Sequence, residues 1–232
     1  MVIPLHDDNP TTTKPKVTVG IMIACTAVFA LQYLLLSREG EIEFIYLFGL
    51  IPALLTNPDF VDPAPIPPLL TVLTSMFVHG GFWHLAGNLL YLWIFGNNIE
   101  DAMGHVRFGL FYLLCGIAAV AAQVLPNPAS EVPMVGASGA ISGVLGAYLL
   151  LVPRAKVLLG LPLGFLVVEI GRYPAMWVLA AWFAMQLVMG SYAAISGATG
   201  GIAFGAHIGG FVAGCLLVTI FKRRSVPLWR RW

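Results

Sequence analysis

The sequence predicts an all-α, polytopic membrane protein: a bundle of six transmembrane helices with a long external first loop. Two observations carry this. The chain is 59% hydrophobic and only 10% charged, too few polar groups to cover a water-facing surface. Six apolar stretches of spanning or near-spanning length recur along it, and its basic residues fall almost wholly on one side of them.

Residues 1–16 are polar, with three prolines and three threonines, and read as a disordered lead. Val17 to Leu36 supplies twenty nearly uninterrupted apolar residues, enough to cross the hydrocarbon core. A cleaved signal peptide would end in a small-residue cleavage site, whereas LLLSREG follows here, so the segment reads as a retained anchor. From Ser37 to about Phe82 the chain mixes apolar patches with the proline-rich PDFVDPAPIPPLL, which cannot form one spanning helix and predicts an external loop at the membrane interface. Five further spans are expected at about 83–100, 106–125, 138–153, 174–191 and 205–221, with a basic tail at 222–232.

With both termini cytoplasmic, Lys14, Lys16, Arg107, Arg154, Lys156, Arg172, Lys222, Arg223, Arg224, Arg230 and Arg231 all lie inside and only Arg38 outside. A net charge of +1 without clustered Lys and Arg excludes a nucleic-acid partner. Cys25, Cys115 and Cys215 fall singly in apolar runs and predict free buried thiols rather than a disulfide or metal cluster.

The chemistry concentrates in MVGASGAISGVLGA, residues 134–147. Its small residues allow close backbone approach between membrane helices. At a helix start, Ser138 would meet unpaired N–H groups and the positive end of the helix dipole, both favourable to a developing negative charge. Ser142, one turn later, has the bland role of bonding back to its own helix. The stretch is not the G-x-S-x-G elbow of soluble hydrolases, because Ala140 stands where the second glycine belongs.

Depth selects the partners. Ser138 lies sixteen residues before Arg154 and His207 fifteen before Lys222, about 24 and 22 Å from the inner ends of their spans at the helical rise. His84 and Asn88 stand about 24 and 18 Å from Glu100. Four polar side chains from three spans therefore share an outer layer. Gly139 with Gly143, and Gly210 with Gly214, form two GxxxG contact faces beside the serine and the histidine. An intramembrane histidine is by default functional. Ser138 is the candidate nucleophile and His207 its general base. His84 and Asn88, four apart on one helix face, are candidate oxyanion donors beside the Ser138 N–H, with an interhelical structural bond as the alternative role for Asn88. His79 is assigned a structural role. No carboxylate is available at that depth, so a dyad rather than a triad is expected.

These pieces together resemble the rhomboid intramembrane serine proteases: HGGFWHLAGN from His79 to Asn88, GNNIEDAMG from Gly96, GASGAISG from Gly136 to Gly143, and AHIGGFVAG from Ala206 to Gly214. The resemblance implies Ser138 as nucleophile, His207 as base, His84 and Asn88 in the oxyanion site, and His79 in local structure, with Gly136, Gly139 and Gly210 in support. It implies hydrolysis of transmembrane protein substrates near the outer face of the bilayer, without metal or cofactor, and residence in a prokaryotic plasma membrane. Some members place a tyrosine one turn after the nucleophile, packed on the base; here Ser142 stands there. Some bacterial members also carry a Trp-Arg pair in the first external loop, where this chain reads PPLLTVLT. The rival class is a proteolytically dead relative that binds and escorts membrane clients, but such proteins generally lose the serine or the histidine. A small transporter or channel would show midplane charges or inverted repeats, and neither is evident.

Overall fold

The computed structural model describes residues 2–57, 66–164, 166–196 and 202–230. Strand β1 (Ile3–Asp7) leads into α1 (Lys16–Leu35). The first connection carries α2 (Arg38–Phe48), α3 (Pro52–Thr56) and α4 (Pro68–Thr74); part of its proline-rich piece, residues 58–65, lies outside the described residues. The expected second span is a composite, α5 (Phe82–Tyr91) passing through a π turn at Leu92–Gly96 into α6 (Asn97–Met103). Gly104, at φ +85°, then turns the chain into α7 (His105–Val124), a conformation that costs glycine nothing. The remaining elements are α8 (Ser138–Leu151), strands β2 (Lys156–Leu163) and β3 (Leu166–Pro174), α9 (Ala175–Ser196) and α10 (Phe204–Phe221).

Four of these helices, α1, α7, α9 and α10, are long and apolar enough to cross a membrane. α8 is shorter, about 21 Å at the helical rise, and sits at the centre, with eleven of its residues buried from Gly139 to Leu151. Its small residues explain the placement. A β-carbon on Gly210 or Gly214 of α10 would lie closer than 3.0 Å to the backbone of Gly139 or Gly143, and one on Gly139 would meet Ala119 of α7 at 2.6 Å. Both predicted GxxxG faces thus touch each other. Close approach of this kind drives helix association where lipid removes the hydrophobic incentive. By contrast α9 buries only Ala175, Leu179 and Gln186 among its described residues.

The end of the bundle where the described terminal segments pack departs from expectation. The lead is not unstructured: β1 pairs antiparallel with β2, Ile3 opposite Gly160 and Asp7 opposite Val157, and β2 pairs with β3 into a three-stranded sheet in the order β1-β2-β3. Val157, Val167, Val168 and Ile170 supply the β-branched residues that suit a pleated surface. The tail also packs back, with Arg223 N–H donating to Ala102 C=O at 2.9 Å and Trp229 N–H to Leu150 C=O at 2.9 Å. Both terminal segments therefore meet the same end of the bundle. At the opposite end, Leu50 and Met134 exchange two backbone hydrogen bonds of 3.0 and 2.8 Å, and Thr74 Oγ1 donates to Phe48 C=O at 2.7 Å, tying the first connection to the loop before α8.

Candidate active site

Ser138 is the first residue of α8 and follows Ala137, which gives no side-chain cap. A first-turn N–H has no acceptor within its own helix, so the Ser138 N–H is left for an external partner. Ser142 Oγ, one turn on, donates to Ser138 C=O at 2.7 Å.

The Ser138 hydroxyl meets α10. His207 Nε2 lies 2.8 Å from Ser138 Oγ, within hydrogen-bonding reach for proton transfer. The two residues stand 69 apart in sequence, and the interlocked glycines below them set that distance. The other ring nitrogen, Nδ1, lies 2.8 Å from Oε1 of Gln186 on α9. The ring of Trp182, one turn before Gln186, lies 6.0 Å from the imidazole between centroids. Trp182 and Gln186 thus flank the base, and Ser142 takes no part in holding it.

His84 and Asn88, one turn apart on α5, face the approach to Ser138. A β-carbon on Gly136 would lie 2.6 Å from His84 Nε2 and 3.6 Å from Asn88 Nδ2. Gly136 has φ +116°, a region L side chains rarely enter; glycine here both permits the turn and leaves room for His84. Its N–H is spent on Ser75 C=O at 2.8 Å. Asn88 is 7% exposed, and its Nδ2 is buried with no hydrogen-bond partner among the described residues. A buried, unspent donor costs free energy, which a transient anion at this spot would offset. His79 is fully buried, with Nδ1 3.2 Å from Phe77 C=O and its ring 5.2 Å from that of His84. It backs His84 and does not reach Ser138.

A small cavity opens beside Ser138, lined among others by Met76, Gly116, Gly136, Gly139 and Ala140. His105 lies apart, its Nδ1 2.5 Å from Glu100 Oε1. The three cysteines are free thiols. Among the described residues no cluster of His, Cys, Asp and Glu could hold a metal ion.

Sequence alone does not single out Gln186, because a neutral amide is a weaker mark of chemistry than a histidine or a carboxylate. The signal was present: Gln186 is the single side-chain amide in the expected span 174–191, and a polar side chain in an apolar helix asks for a partner.

A serine at a helix start, hydrogen-bonded to a histidine inside a bundle of apolar helices, defines a class: polytopic membrane proteins carrying the constellation of a serine hydrolase. A family model described as the Rhomboid domain matches residues 68–224, and the chain belongs to the rhomboid family. It is 33% identical over 151 residues to Rhomboid protein 1, mitochondrial, of Saccharomyces cerevisiae, covering 63% of this chain and 40% of that protein. Over 78 residues it is 45% identical to Rhomboid protease GluP of Bacillus subtilis, covering 34% of this chain and 15% of the relative. It is 32% identical over 88 residues to Presenilin-associated rhomboid-like protein, mitochondrial, of Bos taurus, covering 37% of this chain and 23% of that one. The chain thus spans well under half the length of these relatives.

Proposed function

We propose that this protein is an intramembrane serine endopeptidase acting through a Ser138–His207 dyad. The observation that carries the reading is the 2.8 Å approach of His207 Nε2 to Ser138 Oγ. His207 takes the hydroxyl proton as Ser138 Oγ attacks the scissile carbonyl carbon. The resulting oxyanion is met by the Ser138 N–H, Asn88 Nδ2 and His84. His207 then returns the proton to the departing amine, leaving an acyl-enzyme. Water, deprotonated by the same histidine, releases the acyl group and restores the serine.

The substrates are transmembrane proteins cut near the outer end of their spans, since Ser138 lies at the end of α8 remote from the inner sheet. The distribution of Lys and Arg supports six spans with both termini cytoplasmic, in keeping with the shared position of the terminal segments. The first test is labelling of purified protein with a fluorophosphonate probe. An adduct on Ser138, absent from Ser138→Ala, supports the enzyme; an unlabelled wild type that still binds membrane clients would favour an escort.

A further inference from the structure

We infer that Gln186 is a positioning residue for the base: it fixes the tautomer and the ring plane of His207, and so places a third helix, α9, in the catalytic relay. The inference rests on the Ser138–His207 reading and deepens it.

An amide oxygen has lone pairs and no proton, so Gln186 Oε1 can only accept. At 2.8 Å from Nδ1 it demands that Nδ1 carry the ring proton. Nε2 is then left with its lone pair, 2.8 Å from Ser138 Oγ, which is the arrangement a general base needs. With the opposite tautomer, Nε2–H would point its own proton at the serine and could not accept another. The hydrogen bond on one ring nitrogen decides which role the other plays.

Three features make this more than a passing contact. Gln186 is 5% exposed, and it is the sole buried polar residue among the described residues of α9. A side-chain amide in an apolar span costs free energy unless it is bonded, and His207 Nδ1 is the bond it makes. Trp182, one helical turn earlier, lies beside the imidazole, and Phe183 stacks on Phe211 of α10 at 4.5 Å between centroids. These rings fix the separation of α9 and α10 at the depth of the site. Among the described residues no carboxylate contacts His207, so the amide takes the orienting place that an acid holds in a triad, without adding a charge to a low-dielectric interior.

The test combines two substitutions and a measurement independent of activity. Gln186→Met keeps chain length and apolar packing but removes the acceptor; Gln186→Glu keeps an acceptor oxygen. With a model transmembrane peptide as substrate, Gln186→Met should lower kcat on the order of ten- to a hundredfold, the usual penalty for a misplaced reacting group, with KM little changed. Gln186→Glu should recover most of kcat. It should also move the acidic limb of the pH profile upward, because a carboxylate beside the imidazole favours its protonated, inactive form. That displacement reports the proximity of residue 186 to the ring, whereas the recovery of kcat by an acceptor oxygen is what a merely structural glutamine would not give. Histidine ring ¹⁵N shifts of the wild type should report His207 protonated at Nδ1, and those of Gln186→Met a mixture. A wild-type His207 protonated at Nε2, or a folded Gln186→Met with wild-type kcat and pH profile, would overturn the inference. If Gln186→Met fails to fold, an unmoved acidic limb in Gln186→Glu overturns it equally. Failure of the dyad itself reads differently: Ser138 stays unlabelled by fluorophosphonate while the tautomer of His207 is still reported by its ring shifts.

Discussion

Gly214 of α10 packs so tightly on Gly143 of α8 that a β-carbon on Gly214 would fall closer than 3.0 Å to the oxygen, carbon and α-carbon of Gly143. This backbone contact sits below the Ser138–His207 pair and sets the spacing of the two helices that carry it. Because backbone atoms cannot rotate away as a side chain can, Gly214→Ala should destabilise the bundle by about 1–3 kcal/mol, the usual cost of overpacking. Thermal unfolding in detergent measures this. A melting temperature equal to wild type would show that the helices can part without penalty.

Ser138→Ala should abolish cleavage of a transmembrane substrate while the melting temperature stays near wild type, since one hydroxyl is removed from a position where alanine is at ease in a helix. His207→Ala should be equally inactive. Substantial turnover by either purified variant would dismiss the dyad.

Asn88→Ala should lower kcat on the order of a hundredfold and leave KM nearly unchanged, because an oxyanion donor acts in the transition state. Asn88 Nδ2 has no hydrogen-bond partner among the described residues, so the fold should lose little. Loss of stability, or of substrate affinity alone, would return Asn88 to a purely structural role.

The substrate's outer end should be easily unwound. A helix in lipid keeps its carbonyls in internal hydrogen bonds, and under the proposed mechanism Ser138 can attack only an exposed one. Glycine introduced near the scissile bond should speed cleavage and leucine should slow it, the latter also because the cavity beside Ser138 is lined by Gly136, Gly139 and Ala140. Cleavage rates across one substrate series, indifferent to both changes, would mean that an already extended loop is recognised.

At the end of the bundle that carries the sheet, Asp7 of β1 accepts hydrogen bonds from Tyr148 Oη–H at 2.5 Å and Asn98 Nδ2–H at 3.1 Å. Burial pushes its carboxyl up to about 6, with the Tyr148 hydrogen bond opposing. The folded-state value lies above the unfolded one, so the stability this group contributes is complete below about pH 4 and is lost as pH rises through about 6. A shift of that size corresponds to about 3 kcal/mol. Asp7→Asn should therefore raise the melting temperature at pH 7.5 and change it little at pH 4.5. An equal gap at both values would contradict the role of burial.

The residues that local pattern exposes are those whose partners the sequence also marks. The glycines at 139, 143, 210 and 214 announce two helix-contact faces by their spacing, and the structure shows that each is the partner of the other. Ser138, His207, His84 and Asn88 were legible because apolar surroundings make each polar side chain conspicuous. The sheet was not, since β1 is formed from IPLHD by pairing with residues 150 to 157 positions away, and no local period records that. Prolines in the lead suggested disorder, yet Pro4 takes its place in β1 opposite Leu159, on a strand that pairs on one side only. The position of Gln186 beside the base needed α9 and α10 brought together, which hydropathy does not specify.

The start of α1 is closed from elsewhere in the chain. Pro15 gives that helix no side-chain cap, and its free N–H groups at Val17 and Thr18 donate instead to the carboxylate of Glu100 at 2.9 and 2.8 Å, with the Thr18 hydroxyl adding a third bond at 2.7 Å. Glu100 leaves the ribosome 82 residues after Thr18, roughly 4 to 16 s later at ordinary elongation rates. Through that interval the first span has an open amino end, served only by water and headgroups. The amino end of α1 is thus closed by a residue of α6, and the seat of the one helix depends on the arrival of the other.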